Sequence, residues 1–343
     1  MLRASDEPLW SAYDLALLDL DGVVYVGAEA VEGAPEQLAL ARRAGMHLAF
    51  VTNNASRPPA TVAEHLTELG IAVDESEVVT SAQAAARLLA DRCPAGTRVY
   101  VIGGEGLFAA LEAEGLTPVQ TIDERPEAVV SGYHPDLAWR VVIDGAILVK
   151  RGLPWVASNA DLTVPTANGP GPGNGVLVQA VAGFAGRTPE VAGKPEPPLF
   201  EESIRRVGGT RPLVVGDRLD TDIAGAKRAD LDSLLVMTGV TGLTELVAIP
   251  LELRPTYLSH DLAGLGRPHQ VPQVAGPEAG ELGGWRVDVV DDRLEVAGGG
   301  STDDWWTVAA AVAWQHLDVV GRPVAVEALV APGSVGSPVR SAK

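Results

Sequence analysis

The chain has almost no cysteine: Cys93 stands alone among 343 residues. An intrachain disulfide is excluded, and the redox setting that fits is a reducing cytoplasm. Long apolar runs are missing too. No stretch approaches the roughly 18 apolar residues that a membrane helix needs. The opening MLRASDEPLWSAYD places Asp6 and Glu7 where a signal peptide requires an unbroken apolar segment. Cations are scarce, with 26 Lys and Arg against 45 Asp and Glu and a formal charge of −19. Such a chain repels nucleic acid and anionic membrane at long range, which removes both as partners. It can hold a phosphate ester only through a local cation or metal. The six histidines, at 47, 65, 134, 260, 269 and 316, show no metal-motif spacing. Gly103-Gly104-x-Gly106 follows the apolar RVYVI but lacks G-x-G-x-x-G spacing, which argues against a nucleotide loop.

What is present is enough apolar residue for packed cores, 46%, spread over a length that suits two or three domains. Residues 15–20 (LALLDL) form a short apolar run ending in carboxylates, as a buried parallel strand would. A helix is expected near 35–44, between Pro35 and Gly45, and a second strand at 47–52 (HLAFVT). Another helix is expected near 58–69, with Ser56 as a cap. The alternation returns with helix 198–207, strand 212–216, helix 221–229 and strand 233–237. Strands alternating with helices imply a parallel sheet with helices on both faces. Between these halves, residues 82–180 carry strand signals of their own at 98–102, 127–131, 141–143 and 155–157, closing on VPTANGPGPGNG (164–175). The expected fold is α/β: a Rossmann-like parallel-sheet core (1–81 and 181–267), an inserted α/β cap domain (82–180), a Pro/Gly-rich linker (268–283) and a small C-terminal α+β unit (284–343). In that last unit a hairpin at 285–296 precedes a helix at 303–317, capped by Ser301, and a strand at 323–330. The linker implies a tail that folds as its own unit.

Four polar clusters fall where strands end, which is where ligands of open α/β sheets bind. Asp19-Leu20-Asp21-Gly22 puts two carboxylates on one side of an extended chain, where a cation or a shared proton is expected between them. Alone, the same tetrad is a turn or a calcium-loop fragment. Thr52-Asn53-Asn54 offers a hydroxyl and backbone N–H groups to phosphate oxygens, or simply a turn. Lys194, held before Pro195, projects a cation from a loop, as a solvated surface lysine also would. In Gly216-Asp217-Arg218-Leu219-Asp220-Thr221-Asp222, Asp217 and Asp222 can face a hard cation while Asp220 caps a helix; the plain alternative is a capped helix start with spare acids.

Taken in order, DLDGV, TNN, GKP and GDRLDTDI resemble the four motifs of the haloacid dehalogenase superfamily. The 142 residues between Thr52 and Lys194 leave room for the large cap of its nitrophenylphosphatase and phosphoglycolate phosphatase-like branch. The resemblance covers about residues 10–265. VTNNASR, VVTSAQAAA and VVGDRLDTDI look like the actinobacterial glycerol-3-phosphate phosphatases, enzymes of glycerophospholipid metabolism.

The resemblance implies a Mg²⁺-dependent phosphatase. In it, Asp19 is the nucleophile, and Asp21 is the acid and then the base. Thr52, the Asn53 backbone and Lys194 hold the phosphoryl group. Asp19, the Asp21 carbonyl, Asp217 and Asp222 hold the metal. The substrate is a small phosphorylated metabolite, glycerol 3-phosphate first, with His134 and the 158–169 segment as candidate partners for its hydroxyls. A homo-oligomer is left open. A dehalogenase is disfavoured because it needs no acid at Asp21, and a phosphomutase because a large cap suits hydrolysis. A non-catalytic phosphometabolite sensor is the alternative from another class. The C-terminal unit faintly resembles a fragment of an acetyltransferase-like fold but has no glycine-rich pyrophosphate loop, which argues against acetyl-CoA chemistry.

Overall fold

The computed structural model describes residues 2–166, 168–327 and 329–332. Its central sheet has six parallel strands in the spatial order Tyr257–Ser259, Asp232–Val236, Pro212–Gly216, Leu15–Leu18, His47–Thr52, Val78–Thr80. All four side chains of Leu15–Leu18 are buried, as expected of a strand covered by helices on both faces. The chain runs outward from this strand through 47–52 and 78–80 on one side. It later returns through 212–216, 232–236 and 257–259 on the other. The order therefore reverses beside Leu15–Leu18, and a crevice opens there at the carboxyl ends.

The inserted unit is a second parallel sheet, ordered Glu190–Val191, Trp155–Ala157, Ala128–Ser131, Arg98–Ile102, Thr117–Val119. Two expectations change here. Residues 141–143 are not a strand but part of the helix Trp139–Lys150, because Val142, Ala146 and Val149 recur at helical spacing and are all buried. Residue 180 is not a boundary. It lies within the helix Asn174–Ala185, and Glu190–Val191 still pairs with Val156 and Ala157. The helix Ser81–Ala90 joins the two sheets. It starts with a capping box in which Gln83 Oε1 accepts from the Thr80 N–H at 2.9 Å. Its alanines belong to one hydrophobic cluster with Val51 and Val214 of the core and Val101 and Val130 of the cap.

Residues 268–283 are not a linker. Gln273–Val274 and Ala279–Leu282 are strands of a four-stranded antiparallel sheet with Trp285–Val290 and Arg293–Gly298. The last two form the expected hairpin, turning through Asp291 and Asp292 at φ 49° and 59°, the left-handed pair of a tight hairpin turn. The helix Thr302–Val320 follows, with Ser301 Oγ accepting from the Asp304 N–H at 3.1 Å. The expected strand at 323–330 reduces to one bridge, Arg293 with Ala325. Pro323 brings no N–H to extend it, and residue 328, like 333–343 of the C-terminal unit, lies outside the described residues.

This tail does not pack alone. Trp305, Val308, Val312 and Trp314 share one buried cluster with Leu235, Leu246, Val247, Ile249 and Leu258 of the core. Trp314 Nε1 donates to the Leu246 carbonyl at 2.7 Å. Buried Arg254 donates to both Asp318 oxygens at 2.8 and 2.7 Å. Removing residues 270–343 would uncover those core side chains, each worth about 1.5–3 kcal/mol of burial. The truncated chain is expected to aggregate or to melt well below the intact one. A soluble truncation with an unchanged melting temperature would show that the shared cluster is dispensable.

Candidate active site

Parallel register brings the motifs together. Leu18 lies opposite Phe50 on one side and Val215 on the other, and the Asp19 N–H donates to the Val215 carbonyl at 2.9 Å. Asp19, Thr52 and Asp217 therefore leave three adjacent strands within one residue of the same level. Lys194 arrives from the loop that returns from the cap. It is 3% exposed, and its Nζ stands 2.5 Å from Asp19 Oδ1 and 2.7 Å from Asp222 Oδ1. This is no solvated surface lysine.

Asp19, Asp217 and Asp222 each bring a carboxylate oxygen to within 4.8 Å of the others. Burial, together with the charges of Asp19 and Asp222, pushes the Asp217 carboxyl up to about 7. Asp222 is also raised by burial, although Lys194 opposes this. Burial alone would lower the Lys194 ammonium, but the two carboxylates beside it win and raise it. Asp217 Oδ1 is buried and has no hydrogen-bond donor among the described residues. Three crowded carboxylates with one lysine, and an unsatisfied oxygen among them, suit a hard divalent cation that takes oxygen ligands. Asp21, beyond this cluster, reaches solvent. Partial desolvation and the Asp19 charge raise its carboxyl, against Arg218.

Asp222 enters through a widened helical turn, Leu219–Ile223, before the helix Ala224–Arg228, so the helix expected at 221–229 starts irregularly. Asp220 does not cap it; its carboxylate pairs with Arg218 at 2.8 Å. Ser56 likewise caps nothing. Pro58 precedes the helix Pro59–Glu68, and Ser56 Oγ donates to Asn54 Oδ1 at 2.6 Å. Thr52 Oγ1 accepts from the Asn54 N–H at 3.1 Å. The Asn53 side chain has a part that the motif did not suggest. Its Oδ1 accepts from the Lys194 N–H at 2.8 Å, and its Nδ2 donates to the Lys194 carbonyl at 3.0 Å and to Asp161. His134 packs on Gly104 in the cap, its Nδ1 accepting from the Asp136 N–H at 3.3 Å.

A group that the motifs missed is the loop after strand Asp232–Val236. The Val240 N–H donates to Asp217 Oδ2 at 2.6 Å, Thr241 Oγ1 to the Asp217 carbonyl at 2.5 Å and Thr238 Oγ1 to the Gly22 carbonyl at 2.6 Å. Gly239 and Gly22 let the backbone close on this carboxylate, since a Cβ at either would fall 2.0 and 2.5 Å from Asp217 Oδ2. The available signal was MTGVTG (237–242) at a strand end.

Two family models match the segments that carry these residues. One described as haloacid dehalogenase-like hydrolase matches residues 16–117, and another for HAD-like hydrolases matches 191–265. The chain belongs to the haloacid dehalogenase-like hydrolase family, within which it is a phosphoric monoester hydrolase. Among curated relatives, D-glycerol 3-phosphate phosphatase of Mycobacterium tuberculosis is 40% identical over 92% of this chain and 90% of its own. An acid sugar phosphatase of Staphylococcus saprophyticus is 35% identical over 73% of this chain and 95% of its own. The crystal structure of the Mycobacterium tuberculosis glycerol phosphate phosphatase in complex with magnesium superposes with a TM-score of 0.82 at 39% identity, covering 93% of this chain and 94% of that one. A 4-nitrophenylphosphatase from Thermotoga maritima gives 0.70 at 28% identity over 75% of this chain and 98% of its own. No helix among the described residues is long and apolar enough to cross a membrane.

Proposed function

We propose that this phosphatase is Mg²⁺-dependent, works through an aspartyl-phosphate on Asp19 and acts on glycerol 3-phosphate. The observation that carries the mechanism is the buried contact of Lys194 with Asp19 inside the Asp19–Asp217–Asp222 cluster. An Asp19 oxygen attacks phosphorus in line as the bond to the leaving alkoxide breaks. Asp21, whose raised carboxyl retains its proton longer than an ordinary aspartate, donates that proton to the alkoxide. It then takes a proton from the water that attacks phosphorus and frees Asp19. Thr52 and the Asn53 backbone position the phosphoryl oxygens, and Lys194 offsets their charge. Mg²⁺ held by Asp19, the Asp21 carbonyl and Asp217, with Asp222 in support, supplies further neutralisation of a transition state that needs little beyond positioning and charge. EDTA is expected to silence phosphate release and added Mg²⁺ to restore it. Full activity in a verified metal-free preparation would overturn the metal assignment.

The substrate rests on the 40% identical relative, whose name is D-glycerol 3-phosphate phosphatase, and on the inserted cap, since a domain closing over strand ends favours small esters over macromolecular ones. Acid sugar phosphatases at 35% identity keep sugar phosphates as the second reading. A panel of glycerol 3-phosphate, sugar phosphates, phosphoglycolate, pyridoxal phosphate, nucleotides and nitrophenyl phosphate decides between them. Glycerol 3-phosphate is expected to give the highest kcat/KM. A tenfold advantage for another member, about 1.4 kcal/mol at the transition state, would displace it. No phosphate release from any ester would favour a non-catalytic sensor.

A further inference from the structure

Asp161 sits in the cap, just beyond the strand Trp155–Ala157, yet its carboxylate reaches the core. Both its oxygens accept from Asn53 Nδ2, at 3.1 and 3.0 Å. The same amide brackets the main chain of Lys194, accepting from its N–H at 2.8 Å and donating to its carbonyl at 3.0 Å. A primary amide has two donor hydrogens and one acceptor oxygen, so these partners use both hydrogens and fix which way the amide faces. The carboxylate permits one orientation, since a flipped Asn53 would turn its oxygen toward a negative charge. The bond is also charge-assisted and therefore stronger than an ordinary amide contact.

The surroundings hold Asp161 in place. Its carbonyl accepts from the Gly175 N–H at 2.8 Å and its N–H donates to Asn159 Oδ1 at 3.2 Å. Asn159 Nδ2 in turn donates to the Asn53 carbonyl at 2.7 Å. Gly193 completes the fit, since a Cβ there would fall 2.6 Å from Asn53 Oδ1.

We propose that Asp161 is a positioning residue. Acting from the cap through Asn53, it fixes the backbone of Lys194 and so the aim of its ammonium at Asp19. This rests on Lys194 serving the reaction as proposed above. It gives Asp161, within the 158–169 segment, a part other than binding substrate hydroxyls.

The test measures kcat and KM for nitrophenyl phosphate at saturating Mg²⁺, and hydrogen exchange at the Lys194 amide without substrate. Asp161→Ala is expected to lower kcat about ten- to a hundredfold, the scale of a small misplacement, with KM changed less than about threefold. Asp161→Asn, whose amide oxygen can still accept from Asn53, recovers part of the loss. In an Asn53→Ala background, Asp161→Ala costs less than about threefold more, because both act on one contact. Exchange at the Lys194 amide speeds up in Asp161→Ala. If Asp161→Ala does not fold, Asp161→Asn is read alone, and wild-type kcat together with wild-type exchange overturns the proposal. So does a raised KM with kcat kept, which marks a substrate contact, or full additivity with Asn53→Ala. If the wild-type protein releases no phosphate, the proposed function fails, while the exchange at Lys194 still decides the positioning claim.

Discussion

Asp19→Asn is expected to lose about 10⁴-fold or more in kcat, the scale seen when a nucleophile is removed, and to keep its fold. An amide cannot form the acyl phosphate proposed for the carboxylate. The fold survives because Asp19 stands past the end of its strand. Leu15, Ala16, Leu17 and Leu18, which carry that strand into the buried clusters on both faces of the sheet, are untouched by the change. Lys194 keeps Asp222 as a partner at 2.7 Å. Circular dichroism and a nitrophenyl phosphate assay check both halves. Retention of more than about a tenth of the wild-type rate would remove Asp19 from the nucleophile's role.

Lys194→Met is expected to cost about a thousandfold in kcat/KM, roughly 4 kcal/mol at the transition state. It is also expected to destabilise the metal-free fold by about 3–5 kcal/mol, the usual cost of leaving a buried charge unpaired. The pH dependence has a definite sign. Asp222 is already raised by burial, and without the ammonium it rises further. A carboxyl whose folded value exceeds its unfolded one binds protons more tightly in the folded state. Its contribution is present at low pH and is lost as pH climbs toward the folded value. Measured in EDTA, the variant's melting temperature should therefore fall relative to wild type between about pH 4 and the raised Asp222 value. Lys194→Met with Asp222→Asn should regain stability without activity. Equal melting temperatures for single variant and wild type across that range would contradict the buried-pair account.

The cluster was legible because each of its side chains has a type that its place makes informative. Carboxylates directly after LALL, a lysine locked before proline and acids after LVV all sit at strand ends, and parallel register then brings them together. Asn53 was legible as a position but not in its role. A sequence shows that an amide follows Thr52, but not that Asp161 and Lys194, far along the chain, meet it. The loop around Asp217 was hidden for the same reason: it consists of backbone N–H groups and hydroxyls in an ordinary strand-end sequence. In the fold, VVI at 141–143 misled because three apolar residues carry no period, and only Ala146 and Val149 reveal the helix. The glycines and prolines of 268–283 looked like a linker, whereas the short strands between them, Gln273–Val274 and Ala279–Leu282, pair with each other and, through the second, with Trp285–Val290.

The apolar cluster joining the last helix to Leu246, Val247, Ile249 and Leu258 bears on how such a protein can be inherited and rebuilt. A tail that supplies one wall of a core is costly to gain or shed in one step, because the apolar surface it covers is left exposed. The remaining half would be left with a greasy, insoluble flank. A phosphatase that ends before residue 270 must carry polar side chains on that flank or cover it some other way. Grafting this tail onto such an enzyme would first require those positions to turn apolar. The boundary near residue 270 is thus a poor place to cut for domain exchange. Chimeras made there should inherit the flank and the helix together.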